Sequence, residues 1–328
     1  MPPRHLFIVD AFASKPFSGN PAGIVFLEYD EFPCDDILLK IAQEVNLAET
    51  AFFRQLQIPG TFHLRWFTPQ GEINLCGHAT LASAFVIFTC LELEEIKNLQ
   101  QLFFETMSGS LIVTRIENGY FPITLEMDFP AWIPRKLLSS EVPRELLKGL
   151  GLSGNYVDIE LEKDSQNDSL HLIKDIFDIC PIYIGKSCRD YLIILPSPRD
   201  VMNLIPNYQM LEQVKDGVVI IVAAPGDGSI YTHKDGIKDV FSNERAPPDF
   251  VVRAFCPDCT SVPEDPVCGS AHCTLIPYFA STLKKKKMIS HQISKRGGEL
   301  LVELVEGGER VKIAGTATLF MKGVIDCF

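Results

Sequence analysis

The chain has no stretch of 18 apolar residues free of charge, so the sequence predicts no membrane-spanning helix. It carries no Gly-x-Gly-x-x-Gly turn and no complete phosphate-binding loop, which removes the commonest signs of a nucleotide cofactor. Basic residues are scarce: 30 Lys and Arg against 42 Asp and Glu leave a formal charge of −12. Nucleic acid demands a clustered basic surface and is not an expected partner. The one basic run, Lys284-Lys285-Lys286-Lys287, follows a helical stretch and reads as a solvated helix end. The apolar stretch from Leu6 is cut short by the charge at Asp10, so the segment from Leu6 to Phe12 reads as a first strand rather than a signal peptide. Ten cysteines lie within apolar runs, and reduced thiols in a cytoplasmic protein are the expectation.

What is present is a repeat. Arg65-Trp66-Phe67-Thr68-Pro69 leads, after six intervening residues, to Cys76-Gly77-His78-Ala79. Arg253-Ala254-Phe255-Cys256-Pro257 leads, after ten, to Cys268-Gly269-Ser270-Ala271. Each Cys-Gly opens an apolar stretch of helix length, and each stretch is followed by a Gly-led hairpin, at Gly109 and Gly298. The period is too long for a solenoid and predicts two related α/β lobes. With 328 residues there is room for both, residues 1–129 and 130–328, meeting near the proline-bracketed crossing Pro130-Ala131-Trp132-Ile133-Pro134, with the last strands free to pack back on the first lobe. Residues 77–91 are apolar nearly all round, so that helix must be enclosed by protein. The second helix, over 270–283, is apolar as well, with Pro277 expected to kink it.

Gly at the start of a buried helix leaves unpaired N–H groups at a positive helix end and lets a ligand approach the main chain. Two such starts facing each other would hold a small carboxylate without a cationic side chain. Taken alone, each glycine is equally a tight turn into a packed helix. Acidic residues precede both starts, Glu72 in one copy and Glu264-Asp265 in the other. His78 lies in the first helical turn, where the helix end disfavours imidazolium, so the sequence predicts a neutral ring.

These pieces resemble the PhzF-like, phenazine-biosynthesis-like family of the diaminopimelate-epimerase-like superfamily. The matching residues are Asp10-Ala11-Phe12 with Phe17-Ser18-Gly19-Asn20-Pro21, Asn46-Leu47-Ala48-Glu49-Thr50, Cys76-Gly77-His78-Ala79-Thr80, and Glu264-Asp265-Pro266 with Gly269-Ser270-Ala271. The resemblance implies a mixed α/β fold of two pseudo-symmetric lobes, each a strongly curved sheet wrapped round a central helix, with the active site between them. It implies an isomerase without cofactor or metal and places the general acid/base on Glu49. His78 and Asp265 would relay protons. Asn20, Cys76, Gly77, Cys268, Gly269 and Ser270 would line the site and hold a carboxylated small-molecule substrate. Family members often form homodimers.

Cys268 stands where such members commonly have threonine, and this keeps a rival open. In the superfamily's amino-acid epimerases, cysteines just before the two glycines act as opposed bases, the places of Cys76 and Cys268. Two further readings are a zinc site drawn from Cys256, Cys259, Cys268, His272 and Cys273, and a non-catalytic binding protein on the same fold.

Overall fold

The computed structural model describes residues 4–28, 31–117, 121–152, 180–228, 247–256 and 263–326. The polar segment 162–168, Cys259 and the turn at Asn118-Gly119 lie outside these. In the first half, the elements run β1 (Arg4–Ala11), β2 (Asn20–Phe26), α1 (Asp35–Val45), β3 (Glu49–Gln55), β4 (Thr61–Thr68), β5 (Gly71–Ile73), α2 (Gly77–Thr89), β6 (Gln101–Thr106), β7 (Gly109–Ile116) and β8 (Thr124–Pro130). The second half continues with β9 (Arg135–Lys136), α3 (Arg144–Leu150), β10 (Tyr183–Lys186), β11 (Tyr191–Ile194), α4 (Pro198–Met202), α5 (Tyr208–Leu211), β12 (Ile220–Pro225) and β13 (Phe250–Phe255). It ends with β14 (Glu264–Asp265), α6 (His272–Leu283), β15 (Lys287–Gln292), β16 (Gly298–Leu304), β17 (Arg310–Gly315) and β18 (Ala317–Ile325).

The repeat seen in the sequence recurs in the hydrogen bonding. From β1 through β2, β3, β4, β6 and β7 to β8 the pairings are antiparallel, parallel, antiparallel, parallel, antiparallel and antiparallel. From β10 through β11, β12, β13, β15 and β16 to β17 they follow the same order. Equivalent strands β8 and β17 then pair antiparallel, as a twofold-like seam requires. The strand that follows each seam strand joins the far ladder: β9, after β8, extends β10, and β18, after β17, runs along β1.

The two central helices explain the curvature. Every residue of α2 from His78 to Ile87 is buried, so no face is left for water and the sheet must close round it. Burying Leu81, Phe85, Val86 and Ile87 is worth roughly 1.5–3 kcal/mol each relative to exposure. In α6, Pro277 sits inside the helix and is itself buried. By contrast, α1 is amphipathic and lies outside, seating Leu38, Ile41 and Ala42 against the sheet. Among the described residues no helix is long and apolar enough to cross a membrane.

Candidate active site

Three local devices place the first half's side chains. Asn46 adopts a left-handed conformation (φ 52°) and its N–H caps Ala42 O at 2.9 Å, which ends α1 and delivers Glu49 to the start of β3. Asn20 opens β2, and the parallel register sets Ala22 opposite Glu49, so both residues stand at the starts of two neighbouring strands, at one end of the sheet. Gly19 makes the bend ahead of Asn20 at φ +69°, where a Cβ would strike the Ala11 carbonyl. That bend is tied down from the other half. Arg296 donates to Gly19 O (2.9 Å), Ser18 O (3.0 Å) and the buried Asp10 carboxylate (2.7 Å), which also accepts the Phe17 N–H at 3.1 Å.

Neither central helix has a capping side chain. In α2 the first intrahelical bond is Thr80 N–H to Cys76 O (3.1 Å), and the Ala79 amide turns to the Cys76 sulfur. The amides of Gly77 and His78 precede that bond and have no intrahelical acceptor. At the second start, Cys268 N–H donates to Gln292 Oε1 (2.8 Å) and the Ala271 amide turns to the Cys268 sulfur. Here the helix begins at His272 rather than 270. Residues 269–271 wind more tightly, with bonds from His272 N–H to Gly269 O and from Cys273 N–H to Ser270 O. The two starts face each other at contact distance: a Cβ built on Gly77 would lie 4.0 Å from Gly269 Cα, and one on Gly269 would lie 3.9 Å from Gly77 Cα.

Around that meeting point the titratable groups form one chain, buried at Glu49, Cys76 and His78 and half-buried at Asp265. Glu49 Oε2 lies 3.1 Å from His78 Nε2, and His78 Nδ1 lies 3.4 Å from Cys76 Sγ. Asn20 Nδ2 donates to Asp265 Oδ1 (2.8 Å) and Val267 O (3.1 Å), and lies 3.2 Å from His78 Nδ1. Nδ2 spends its two hydrogens on Asp265 Oδ1 and Val267 O while lying against the His78 ring, so the Asn20 amide brings the second half's carboxyl beside the first half's histidine. Glu49 is 7% exposed and His78 6%. All nine residues singled out in the sequence meet here, with Cys268 Sγ 3.5 Å from Ser270 Oγ.

The charge on His78 departs from the sequence expectation of a neutral ring. Burial opposes imidazolium, but the Cys76 sulfur and the Glu49 carboxylate outweigh it and hold the His78 pKa well above the usual range. A carboxylate in direct contact overrides a helix end. Burial raises the thiols of Cys76 and Cys268, and it raises the Asp265 carboxyl, where adjacent His78 partly counters it. Glu72 and Glu264 are not free acids. Arg65 grips Glu72 through Nε and Nη2 (2.7 and 2.6 Å), and Arg253 grips Glu264 the same way (2.7 and 2.9 Å).

Glu49, Cys76 and His78 offer ligand-type atoms within 4.8 Å of one another, a donor set that suits zinc by type. Both helix starts bring positive ends to that place, which favours an anion. Of the suggested zinc set, Cys259 lies outside the described residues. His272 has both ring nitrogens engaged, with Cys268 O (2.9 Å) and Ser290 Oγ (2.8 Å). Sequence reasoning missed Arg189, whose Nη2 donates to Ser270 Oγ at 3.0 Å, and also Arg296 and Gln292. The matched Arg-to-Glu pairs were readable, since each Arg opens a repeat block and each Glu stands four residues before its Cys.

Comparison with known proteins agrees with this geometry. A family model described as phenazine biosynthesis-like protein matches residues 9–323. An uncharacterized isomerase of Halalkalibacterium halodurans is 35% identical over 97% of this chain and 96% of its own. The crystal structure of a phenazine biosynthesis PhzF-family protein from Enterococcus faecalis superposes with a TM-score of 0.77 at 33% identity, covering 99% of this chain and 100% of that one. A predicted epimerase from Pseudomonas aeruginosa shares the fold alone, with a TM-score of 0.62 at 16% identity over 99% of each chain.

Proposed function

Because the chain belongs to the phenazine biosynthesis-like (PhzC/PhzF) family of isomerases, we propose that it moves a proton on a small carboxylated metabolite with Glu49 as general acid/base and without a cofactor. The observation that carries this reading is the buried contact between Glu49 and His78 beside two abutting, uncapped helix starts. The substrate carboxylate sits on the amides of Gly77 and His78 and of Gly269 and Ser270. There it meets positive helix ends in a site shielded from water. Glu49 removes a proton from the adjacent carbon, and His78 steadies the charge that shifts on and off the carboxylate. Asp265, with its carboxyl raised by burial, returns a proton from the other half, and Asn20 keeps the two sides aligned. General acid/base catalysis of this kind is worth roughly 10²–10⁴ in rate.

The division at residues 129 and 130 belongs to the same proposal, as do a cytoplasmic setting and a homodimer. All eight cysteines among the described residues are free, which suits a reducing compartment. Incubating a panel of carboxylated metabolites in heavy water with the wild type and Glu49→Gln tests the chemistry. The wild type should introduce deuterium at carbon, and Glu49→Gln should not.

The two-thiol reading has one observation in its favour: each sulfur sits at a helix start and accepts an amide, Ala79 for Cys76 and Ala271 for Cys268. Burial raises both thiols, which starves that mechanism of thiolate. Exchange surviving in a Cys76→Ala/Cys268→Ala protein removes it.

A further inference from the structure

The second helix start has a cationic neighbour that the proton-transfer reading leaves unused. Arg189 lies in the turn before β11, one register position from the place that Asn20 holds at the start of β2: Gly23 and Tyr191 are equivalent in the matched ladders. Asn20 meets His78, two residues past Cys76, whereas Arg189 meets Ser270, two residues past Cys268. One half therefore brings an amide to its helix start, and the other brings a positive charge.

The guanidinium is held on three sides. Its Nε pairs with Asp190 Oδ1 at 3.0 Å, its Nη2 donates to Ser270 Oγ, and its plane lies over the Trp132 ring, 4.8 Å from the centroid. Asp190 is fully buried and its Oδ1 also accepts the Val219 N–H at 3.2 Å, so the carboxylate is a fixed brace behind the arginine. Nη1 makes no hydrogen bond among the described residues, and the side chain keeps 30% exposure. A planar fork locked by a carboxylate, a hydroxyl and an aromatic face, with donors left over, is pre-organised for a second planar anion.

We propose that Arg189 reads a second carboxylate, so that the substrate is a dicarboxylate with one anionic group on the paired helix starts and the other on this guanidinium. The proposal rests on the assignment of the helix starts as the carboxylate seat. It extends that assignment from a carboxylated metabolite to a doubly anionic one. It also gives Ser270 a second task, as the hydroxyl that links the cation to the helix start.

The test is calorimetric titration of the full chain with succinate, glutarate and adipate, each against the monocarboxylate of equal length, at constant ionic strength. For at least one length the dicarboxylate should bind tenfold or more tightly than its partner. Arg189→Met strands the buried Asp190, so the informative variants are Arg189→Met/Asp190→Asn, which removes both charges, and Arg189→Lys, which keeps the cation but loses the fork. The double variant should lose the preference while still binding monocarboxylates, and the lysine variant should keep only part of it. Equal binding of di- and monocarboxylates by the wild type overturns the proposal, and so does a preference that persists in the double variant. Glu49→Gln should retain the preference. If it does while wild-type protein exchanges no deuterium, the proton-transfer reading falls and this one stands. If exchange occurs on monocarboxylates alone, the reverse holds.

Discussion

The two helix starts share a Cys-Gly step and differ in winding and in almost every side chain aimed at it. Both have Cys then Gly, both turn an alanine amide onto the cysteine sulfur, and both follow an Arg–Glu ion pair on adjacent strands. Yet the third residue is His78 in one and Ser270 in the other, and the acids come from non-equivalent places. The ladders align Phe67 with Phe255, which makes Glu49 the counterpart of Val219 and Asp265 the counterpart of Ile73. In the proposed mechanism, the backbone amides assigned to the anion keep their twofold relation, while the groups assigned to proton transfer do not. A carboxylate looks much the same from both sides, but a proton must leave one face and arrive from another, so the chemistry needs asymmetry where the binding does not.

The sharpest way to break that comparison is to remove one acid. Glu49→Gln keeps shape and hydrogen bonding but cannot take a proton, and deuterium exchange should fall by about 10³-fold or more. Cys76→Ala should cost less than about tenfold. An equal loss in both would move the chemistry to the sulfur.

Acid should then expose a difference in stability between the helix starts. His272 in the second helix is fully buried and its pKa is lowered by burial from 6.5 to about 4. Between those values the unfolded chain binds a proton that the folded chain refuses. Stability is therefore full above pH 6.5 and is lost as pH falls toward 4, by up to about 3 kcal/mol. Urea midpoints from pH 7 to 4 should show this slope, and His272→Asn should flatten it. His78 has the opposite sign: its raised pKa contributes stability at low pH that is lost as pH rises above 6.5 through its folded value. A His78→Asn protein should therefore lose less stability at high pH than at low pH.

A gentler probe addresses what the halves share. A methyl on Gly77 or Gly269 would meet its neighbours no closer than 3.8 Å, and neither glycine has positive φ, so Gly77→Ala and Gly269→Ala should fold normally. Each methyl would stand where the ligand approaches the amides, so carboxylate affinity should drop roughly 10–100-fold with stability changed by less than about 1 kcal/mol. Unequal losses would show that one start holds most of the anion.

Much of this was legible in the sequence because it is local. The Cys-Gly repeat announced both helix starts, the all-round apolar stretch announced an enclosed helix, and the family motifs gathered Glu49, His78 and Asp265. What escaped is what the fold brings from afar. Arg296 reaches Asp10 across 286 positions, and Arg189 reaches Ser270 across 81, with no pattern to pair them. The charge on His78 escaped for the same reason: the helix end is visible in its own motif, but the Glu49 carboxylate that outweighs it arrives on another strand. The pairing of β9 with β10 was likewise open, since nothing in a strand's own sequence says which edge it joins.

The smallest expected effect separates the two Arg–Glu pairs. Arg65 divides its fork between Glu72 and the exposed Asp35, 2.8 Å away, so truncation leaves a partner that water can reach. Arg253 is more enclosed and also donates Nη1 to Leu204 O (2.8 Å) and Val201 O (3.3 Å), the carbonyls at the end of α4. Removing it strands Glu264 and the Leu204 carbonyl at once, while Val201 O keeps the Leu204 N–H at 3.5 Å. Arg253→Met should therefore cost roughly 3 kcal/mol of unfolding free energy and Arg65→Met roughly 1–2 kcal/mol, a difference readable from urea midpoints. Equal losses would mean that the carbonyls of α4 find other donors, and that the two halves are braced alike despite their different surroundings.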